Sequence, residues 1–536
     1  MRIATSLPFL TAVAAGCFAQ GPSFPSIGYV AVGADYAALV GIPLGSIFSI
    51  VGGGLAPSPA QATALPLPVS LNNVTVNLWD AASGGNFLGA CPLWYVSPSQ
   101  INAVLLSSLP AGRYYLSVST LMPTPVGTSY PVESSRVQIM ATTGRFAPFT
   151  VGSRGFGPAV IQQYDAQGGP FLNQFTSAAP AGSILTLWGT GLGPLPSGSD
   201  ANATEPQTLR TDVTVYVDGI AATPTYAGRS PYLPGVDQIN FALPPGVAPR
   251  CFVPIQVVTG GAASQIDTVA VSSGPGLCTS EFGLSPAALA RLDAGGTVQA
   301  AVLNLVSTTA QWSGNVSQTA EAWAGQYDSA YLALLALGAH GAPVKGGAIC
   351  SQGPPALFSS GGLNTSTGVP SPVVGQPGCS WQFSPLGSIL LGQGACLASF
   401  FTFAGPPFSA GGAFPAPKGA TSIASFSAQQ SVRQITATWT ASAAPGDLVY
   451  LTFGSFYDSI SLFGSQQYSA EVSCLASPTD TPFALAPYDV AYALQYSIPT
   501  APSMSLVTTT DQVFPATSPF DFVLVRTANS AQDEGP

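Results

Sequence analysis

One segment of the chain occurs twice, and that repetition limits the fold more than any single motif does. Pro43-Leu-Gly-Ser-Ile-Phe-Ser-Ile-Val-Gly-Gly-Gly-Leu-Ala-Pro57 aligns without a gap on Pro180-Ala-Gly-Ser-Ile-Leu-Thr-Leu-Trp-Gly-Thr-Gly-Leu-Gly-Pro194, with eight of fifteen positions identical at an offset of 137. The similarity continues in order. Val74-Thr75-Val76 answers Val213-Thr214-Val215, Gln100-Ile101-Asn102 answers Gln238-Ile239-Asn240, and Leu109-Pro110-Ala111-Gly112 answers Leu243-Pro244-Pro245-Gly246. The chain therefore carries one structural unit in two tandem copies. In each copy Ser46 to Val51 or Ser183 to Trp188 is a β-branched and aromatic run entered from a Pro-x-Gly turn, which suits a strand. The Gly-x-Gly-Leu that follows lets the backbone turn sharply. Val213 to Val217 alternates with period two, and Val253 to Val258 with Thr268 to Val271 reads as a hairpin across Gly260-Gly261. Short strands with regular turn signals predict a β-sandwich of about 100 residues per copy.

Composition agrees with that reading. The 59 glycines and 50 prolines follow no collagen period and would interrupt long helices everywhere. Hydrophobic residues make up 46% of the chain, too many for a disordered one. Charged residues are only 7%, against about 25% in ordinary soluble domains. Solubility thus rests on Ser, Thr, Asn and Gln. The formal charge is −10, the lysines are Lys345 and Lys418 alone, and no basic cluster exists to track a phosphate backbone, so nucleic acid is not an expected partner.

The Pro-x-Gly-Ser-Ile…Gly-x-Gly-Leu run, followed by Trp94-Tyr-Val-Ser-Pro-Ser-Gln-Ile-Asn102, resembles the tandem Solibacter-type C-terminal module of secreted acidobacterial proteins. That module looks like the IPT/TIG branch of immunoglobulin-like folds. The resemblance runs from about Ile42 to Val271 and implies fold and export; it implies no activity and no site residues. The second copy departs from the pattern, because Tyr226-Ala-Gly-Arg-Ser-Pro-Tyr232 replaces the tight approach to Gln-Ile-Asn. The expected class is mainly all-β: tandem immunoglobulin-like sandwiches, then a further β-rich region with a little helix. The expected division is a signal peptide at 1–19, modules at 20–147 and 148–279, a mixed β-rich region at 280–419, a C-terminal β domain at 420–527, and a polar tail at 528–536. Within the third part, Ser285-Pro286 before Ala287 to Leu292 predicts a short capped helix ended by Gly295-Gly296. Ala320 to Leu337 satisfies both helical and strand spacing.

Arg2, the apolar run Ile3 to Phe18, and Cys17-Phe18-Ala19 form the pattern of an export signal cleaved after Ala19. The expected location is secreted, extracellular or periplasmic. A lipid anchor on Cys17 is the alternative, although Ala14-Ala15-Gly16-Cys17 lacks the leucine three residues before the cysteine. No transmembrane segment is expected, since Ile389 to Ala404 is broken at Gly392-Gln393-Gly394. In an oxidising compartment Cys251 and Cys278, at the two outer ends of the hairpin, should form a disulfide. Cys350, Cys379, Cys396 and Cys474 allow three connectivities, with Cys350–Cys379 and Cys396–Cys474 preferred as sequence neighbours. Cys91 is left over, either buried before Trp94 or free to pair with another chain.

Catalytic signals are sparse. His340 is the single histidine, which excludes a multi-imidazole zinc site, and no Gly-x-Ser-x-Gly elbow is present for a hydrolase that would use it. Glutamates 133, 205, 281, 321, 471 and 534 are scattered, while Asp35, Asp218, Asp237, Asp458 and Asp489 lie near strand ends or turns, as turn formers do. Gly189-Thr-Gly-Leu-Gly193 is followed by Pro194 and Pro196, which deny it the helix of a phosphate loop. Of the seven tryptophans, Trp188 and Trp439 read as core and the others remain candidates for sugar platforms. The expectation is a non-enzymatic binding, adhesion or structural protein of the cell exterior, with no metal, cofactor or catalytic residue. A neutral glycan or another surface protein is the expected partner. The alternatives are a glycan hydrolase using a carboxylate pair after residue 280 and a subunit of a surface assembly. An exposed aromatic strip, two carboxylates in one cleft, or an unpaired sheet edge would favour the three readings in turn.

Overall fold

The computed structural model describes residues 24–34, 41–81, 85–123, 129–153, 155–260, 262–310 and 316–340, then a series of strands and turns between 349 and 534. Strands occupy 53% of the chain and helices 5%, so the fold is all-β with little helix. The export signal, Cys17, Asp35, Cys379, Cys396 and Asp489 lie outside the described residues.

The first repeat is a two-sheet sandwich. One sheet runs in the order Ser26–Val32, Ile47–Gly53, Gln100–Val104, Leu93–Val96, Ala60–Gln61. The other runs Ile42–Pro43, Val137–Thr142, Gly112–Pro123, Thr75–Asp80, Phe87–Ala90, with Ser129–Glu133 also on Gly112–Pro123. Alternation decides which side chains fill the space between them. Phe48, Ile50, Val76, Leu78, Ile101, Leu116 and Val118 all point inward and are fully buried in one core.

The second repeat rebuilds the first. Ile161–Tyr164, Ile184–Thr190, Asp237–Ala242 and Tyr226–Arg229 form consecutive strands of one sheet, and Val213–Val217 with Val253–Thr259 lies at the centre of the other. Leu185, Leu187, Val215, Ile239 and Phe241 fill the positions of Phe48, Ile50, Val76, Ile101 and Ala103. Both copies enter their first long strand through the same turn, closed by Ser46 N–H to Pro43 O and by Ser183 N–H to Pro180 O, both within 3.2 Å. Gly45 and Gly182 sit third in these turns at φ +72° and +84°, the left-handed position that a type II turn reserves for glycine.

Beyond the repeats, Ser285 caps the helix Pro286–Asp293 by accepting from Ala288 N–H. The ambiguous stretch divides into a strand, Val316–Tyr327, and a helix, Ser329–His340. Strand pairing runs across the expected boundary at 419/420. Val298–Ala310 pairs with Val316–Tyr327 on one side and runs parallel to Phe522–Glu534 on the other, which continues through Ser503–Pro515 to Leu448–Ser461 and Gly464–Ala476. Residues near 300 and near 525 therefore share one sheet, a pairing too distant in sequence for local patterning to reveal. The same sheet sets Cys350 opposite Cys474, while Cys379 and Cys396 lie outside the described residues.

The parts are joined through packed cores. Phe175, Phe252, Phe282 and Phe522 form a chain of rings 4.9 to 5.8 Å apart from the second module into the C-terminal sheet. Asp293 reinforces it by accepting from Phe175 N–H and Thr176 N–H, each at 2.9 Å.

Candidate functional site

The outward face of the second sheet in module 1 gathers the aromatic and amide groups that a binding surface needs. Because Val76 and Leu78 turn inward, Asn77 and Trp79 turn out; because Leu116 and Val118 turn inward, Tyr115, Ser117 and Ser119 turn out. The Trp79 indole N–H donates to Ser117 Oγ at 2.8 Å, and Asn77 Nδ2 donates to Ser119 Oγ at 2.9 Å. Ser117 in turn donates to Glu133. These cross-strand bonds hold the indole against the sheet. Phe87, on the edge strand and 56% exposed, meets it edge-on with centroids 5.4 Å apart. The exposed Arg136 lays its guanidinium 3.7 Å over the indole ring, a cation–π contact.

A second candidate is a cavity of about 410 Å³ between the second module and the C-terminal sheet, lined by Arg250, Glu281, Phe282, Asp511, Val513 and Leu524 among others. It brings together two carboxylates, as the hydrolase alternative requires, but each is already engaged. Glu281 accepts from Cys251 N–H at 3.2 Å and Phe252 N–H at 3.0 Å, and burial raises its carboxyl above the ordinary range. Asp511 accepts two bonds of 2.8 Å from Arg526. Both act as braces for the surrounding backbone and sheet.

The other sequence candidates fall as follows. Asp218 occupies a turn at φ +51° and pairs with Arg250 at 2.6 Å. Trp439 is core at 4% exposure. Trp188 corrects expectation: its neighbours Leu185 and Leu187 face the core, so the indole points outward and donates to Gln162. Among the described residues no group of three or more His, Cys, Asp or Glu could hold a metal ion, and no described helix is long and apolar enough to cross a membrane. Cys251 and Cys278 are joined by a disulfide with Cα atoms 5.0 Å apart. Cys91 is a free thiol with no exposure, and burial, then Asp200, pushes its pKa up. It is a core residue.

Sequence reasoning missed the junction between the modules. Arg229 and Asp237 are 1% and 0% exposed and approach to 3.2 Å, close enough for charge although not aligned as a hydrogen bond. Arg229 donates to Gly45 O at 2.6 Å and Gly193 O at 3.1 Å, while Asp237 accepts from Leu192 N–H at 2.8 Å. Asp200 adds bonds of 2.7 and 2.6 Å to the backbone and hydroxyl of Ser107. Only the irregular Tyr226-to-Tyr232 stretch signalled it.

No family model and no curated protein matches the chain. Among solved structures, the chain is similar to a putative bacterial DNA-binding protein from Bacteroides vulgatus at 22% identity, over 23% of this chain and 49% of that one, with a TM-score of 0.17. It is similar to dimeric latent PorU from Porphyromonas gingivalis at 8% identity, over 95% and 34%, TM-score 0.14. The chicken CNTN1 FN1–FN3 domains match at 7% identity, over 94% and 99%, TM-score 0.11. The chain thus spans about half, or less, of the first two proteins. At these TM-scores the likenesses carry no argument about fold or function.

Proposed function

We propose that this is an exported, non-enzymatic binding protein of the cell exterior, built on IPT/TIG-like modules, and that the Trp79 face of module 1 takes a neutral glycan. The observation that carries this reading is the Trp79–Phe87 aromatic pair set beside Asn77, Tyr115 and Ser119 on one sheet face, with the buried Ser117 bracing the indole from beneath. Sugar rings stack on aromatic faces and exchange hydrogen bonds with amides and hydroxyls, chemistry that needs no metal. Arg136 is the movable cover, exchanging its contact with the indole for one with the ligand. The Arg2-to-Ala19 pattern and the Cys251–Cys278 bridge support export.

A glycan-array screen followed by calorimetric titration tests the reading. Trp79→Ala should weaken binding at least about tenfold, or about 1.4 kcal/mol, whereas EDTA and His340→Ala should leave it unchanged. Unaltered affinity in Trp79→Ala, or an array with no bound glycan, would remove the assignment.

A further inference from the structure

The two repeats can be compared position by position, and one surface is covered in the first but open in the second. In module 1, Ile47 and Val104 are cross-strand partners that point outward. The loop 230–236 of module 2 sits on them: a methyl group on Gly235 would come within 2.8 Å of Ile47 and 3.0 Å of Val104. Val104 is fully buried as a result. The contact is pinned by Ile47 N–H to Thr190 Oγ1 at 2.9 Å and by the Trp94 indole N–H to Pro234 O at 3.0 Å.

In module 2 the same positions are Ile184 and Ala242, again cross-strand partners. Ile184 is 52% exposed, and Ala242 is exposed beside it. The turn glycines record the same difference. A methyl group on Gly45 would meet Ser107, Arg229 and Gly193, whereas one on Gly182 would meet nothing within 4 Å. The open surface extends sideways along one row of the sheet. Tyr164 stands next to Ile184 at 43% exposure, and exposed Pro170 pairs with Tyr164 on the edge strand Pro170–Leu172. Leu172, paired with Gln162 on the same face, adds a further side chain at 45% exposure. The row Pro170, Tyr164, Ile184, Ala242 carries no charge.

We propose that this row is a self-association surface whose occupant is a second copy of this chain. The position has a demonstrated use within the molecule, since its counterpart on module 1 is where another module of the same chain docks. An uncharged apolar row on a sheet face gains by burial, and the adjacent edge strand is paired on one side only among the described strands. A two-fold contact, row against row, closes at a dimer.

Sedimentation velocity on the full mature protein tests this. A concentration-dependent dimer is expected below about 200 µM, a dissociation constant worth about 5 kcal/mol. Ile184→Asp, and separately Leu172→Lys, should each raise that constant at least about tenfold without changing the melting curve; both sites are half-exposed, so neither should impair folding. Trp79→Ala should leave dimerisation unchanged, which separates this result from the glycan reading. A monomer throughout the range, or a dimer indifferent to both variants, would overturn the proposal. So would a soluble glycan found to occupy the row in place of the second copy.

Discussion

Replacing Arg229 by methionine keeps much of the side-chain volume and removes the guanidinium facing Asp237. Asp237 has no exposure and Arg229 has 1%, so water cannot replace the lost charge. Breaking a buried pair by removing one partner destabilises by about 3–5 kcal/mol. Part of this comes from Gly45 O and Gly193 O, which lose their donor, at about 1 kcal/mol each. The loss should depend on pH in a defined direction. Burial, opposed by Arg229, pushes the Asp237 carboxyl from 3.8 up to about 6. The folded state therefore binds this proton more readily than the unfolded state. Its contribution is fully present below about pH 4 and is lost as pH rises through about 6, a span worth about 3 kcal/mol. Without the cation the folded carboxyl rises further, so acidification should relieve the variant more than the parent. Differential scanning calorimetry at pH 7.5 and pH 5 measures this. The deficit of Arg229→Met should be about 3–5 kcal/mol at the higher pH and smaller by at least about 1 kcal/mol at the lower. Adding Asp237→Leu should recover much of it, because the double variant leaves no buried charge unpaired. A deficit under about 1 kcal/mol, or one independent of pH, would refute the argument.

Gly235→Ala should loosen the module junction, because φ is +75° and the new methyl would strike Ile47 and Val104; a lower melting temperature with more exposed tryptophan fluorescence is the expected outcome. Cys251→Ser/Cys278→Ser should cost about 3.5 kcal/mol by the loop-closure argument for a separation of 27 residues, read by calorimetry against the parent. Cys91 should resist alkylation in the native protein and react only on unfolding, as its burial and raised pKa require; labelling at the native rate of a free thiol would contradict that. Non-reducing peptide mapping should recover Cys350 linked to Cys474, since antiparallel partners hold Cα atoms about 4.5–5.5 Å apart, within disulfide reach.

Much of each sandwich was legible because its information is local. The Pro-x-Gly turns, the alternation of Val213 to Val217 and the hairpin bridged by Cys251 and Cys278 each depend on residues close in sequence, and all are found, although the second hairpin strand ends at Val269 and Val271 pairs with Ala179 instead. Trp188 was misread because a β-branched and aromatic run shows that a strand exists without showing which alternate positions face the core. The sheet that joins Val298–Ala310 to Phe522–Glu534 was illegible for a different reason: no local pattern encodes a pairing across more than two hundred residues.

The junction between modules lies between these cases. Asp237 stands where the first repeat has Ser99, one residue before the shared Gln-Ile-Asn, and Arg229 belongs to the stretch that departs from the tight Tyr-Val-Ser-Pro approach. Read as an isolated module, that departure has no purpose. In the folded chain it supplies the buried cation that reaches Gly45 and the Pro234-Gly235 backbone that covers Ile47 and Val104. Core positions of a repeat are held in common because both copies must pack. The copy that docks on its neighbour must differ where it docks. In a tandem pair, then, agreement between copies reports the fold and local disagreement reports the interface, so the irregular segment is the first place to look for contacts between modules.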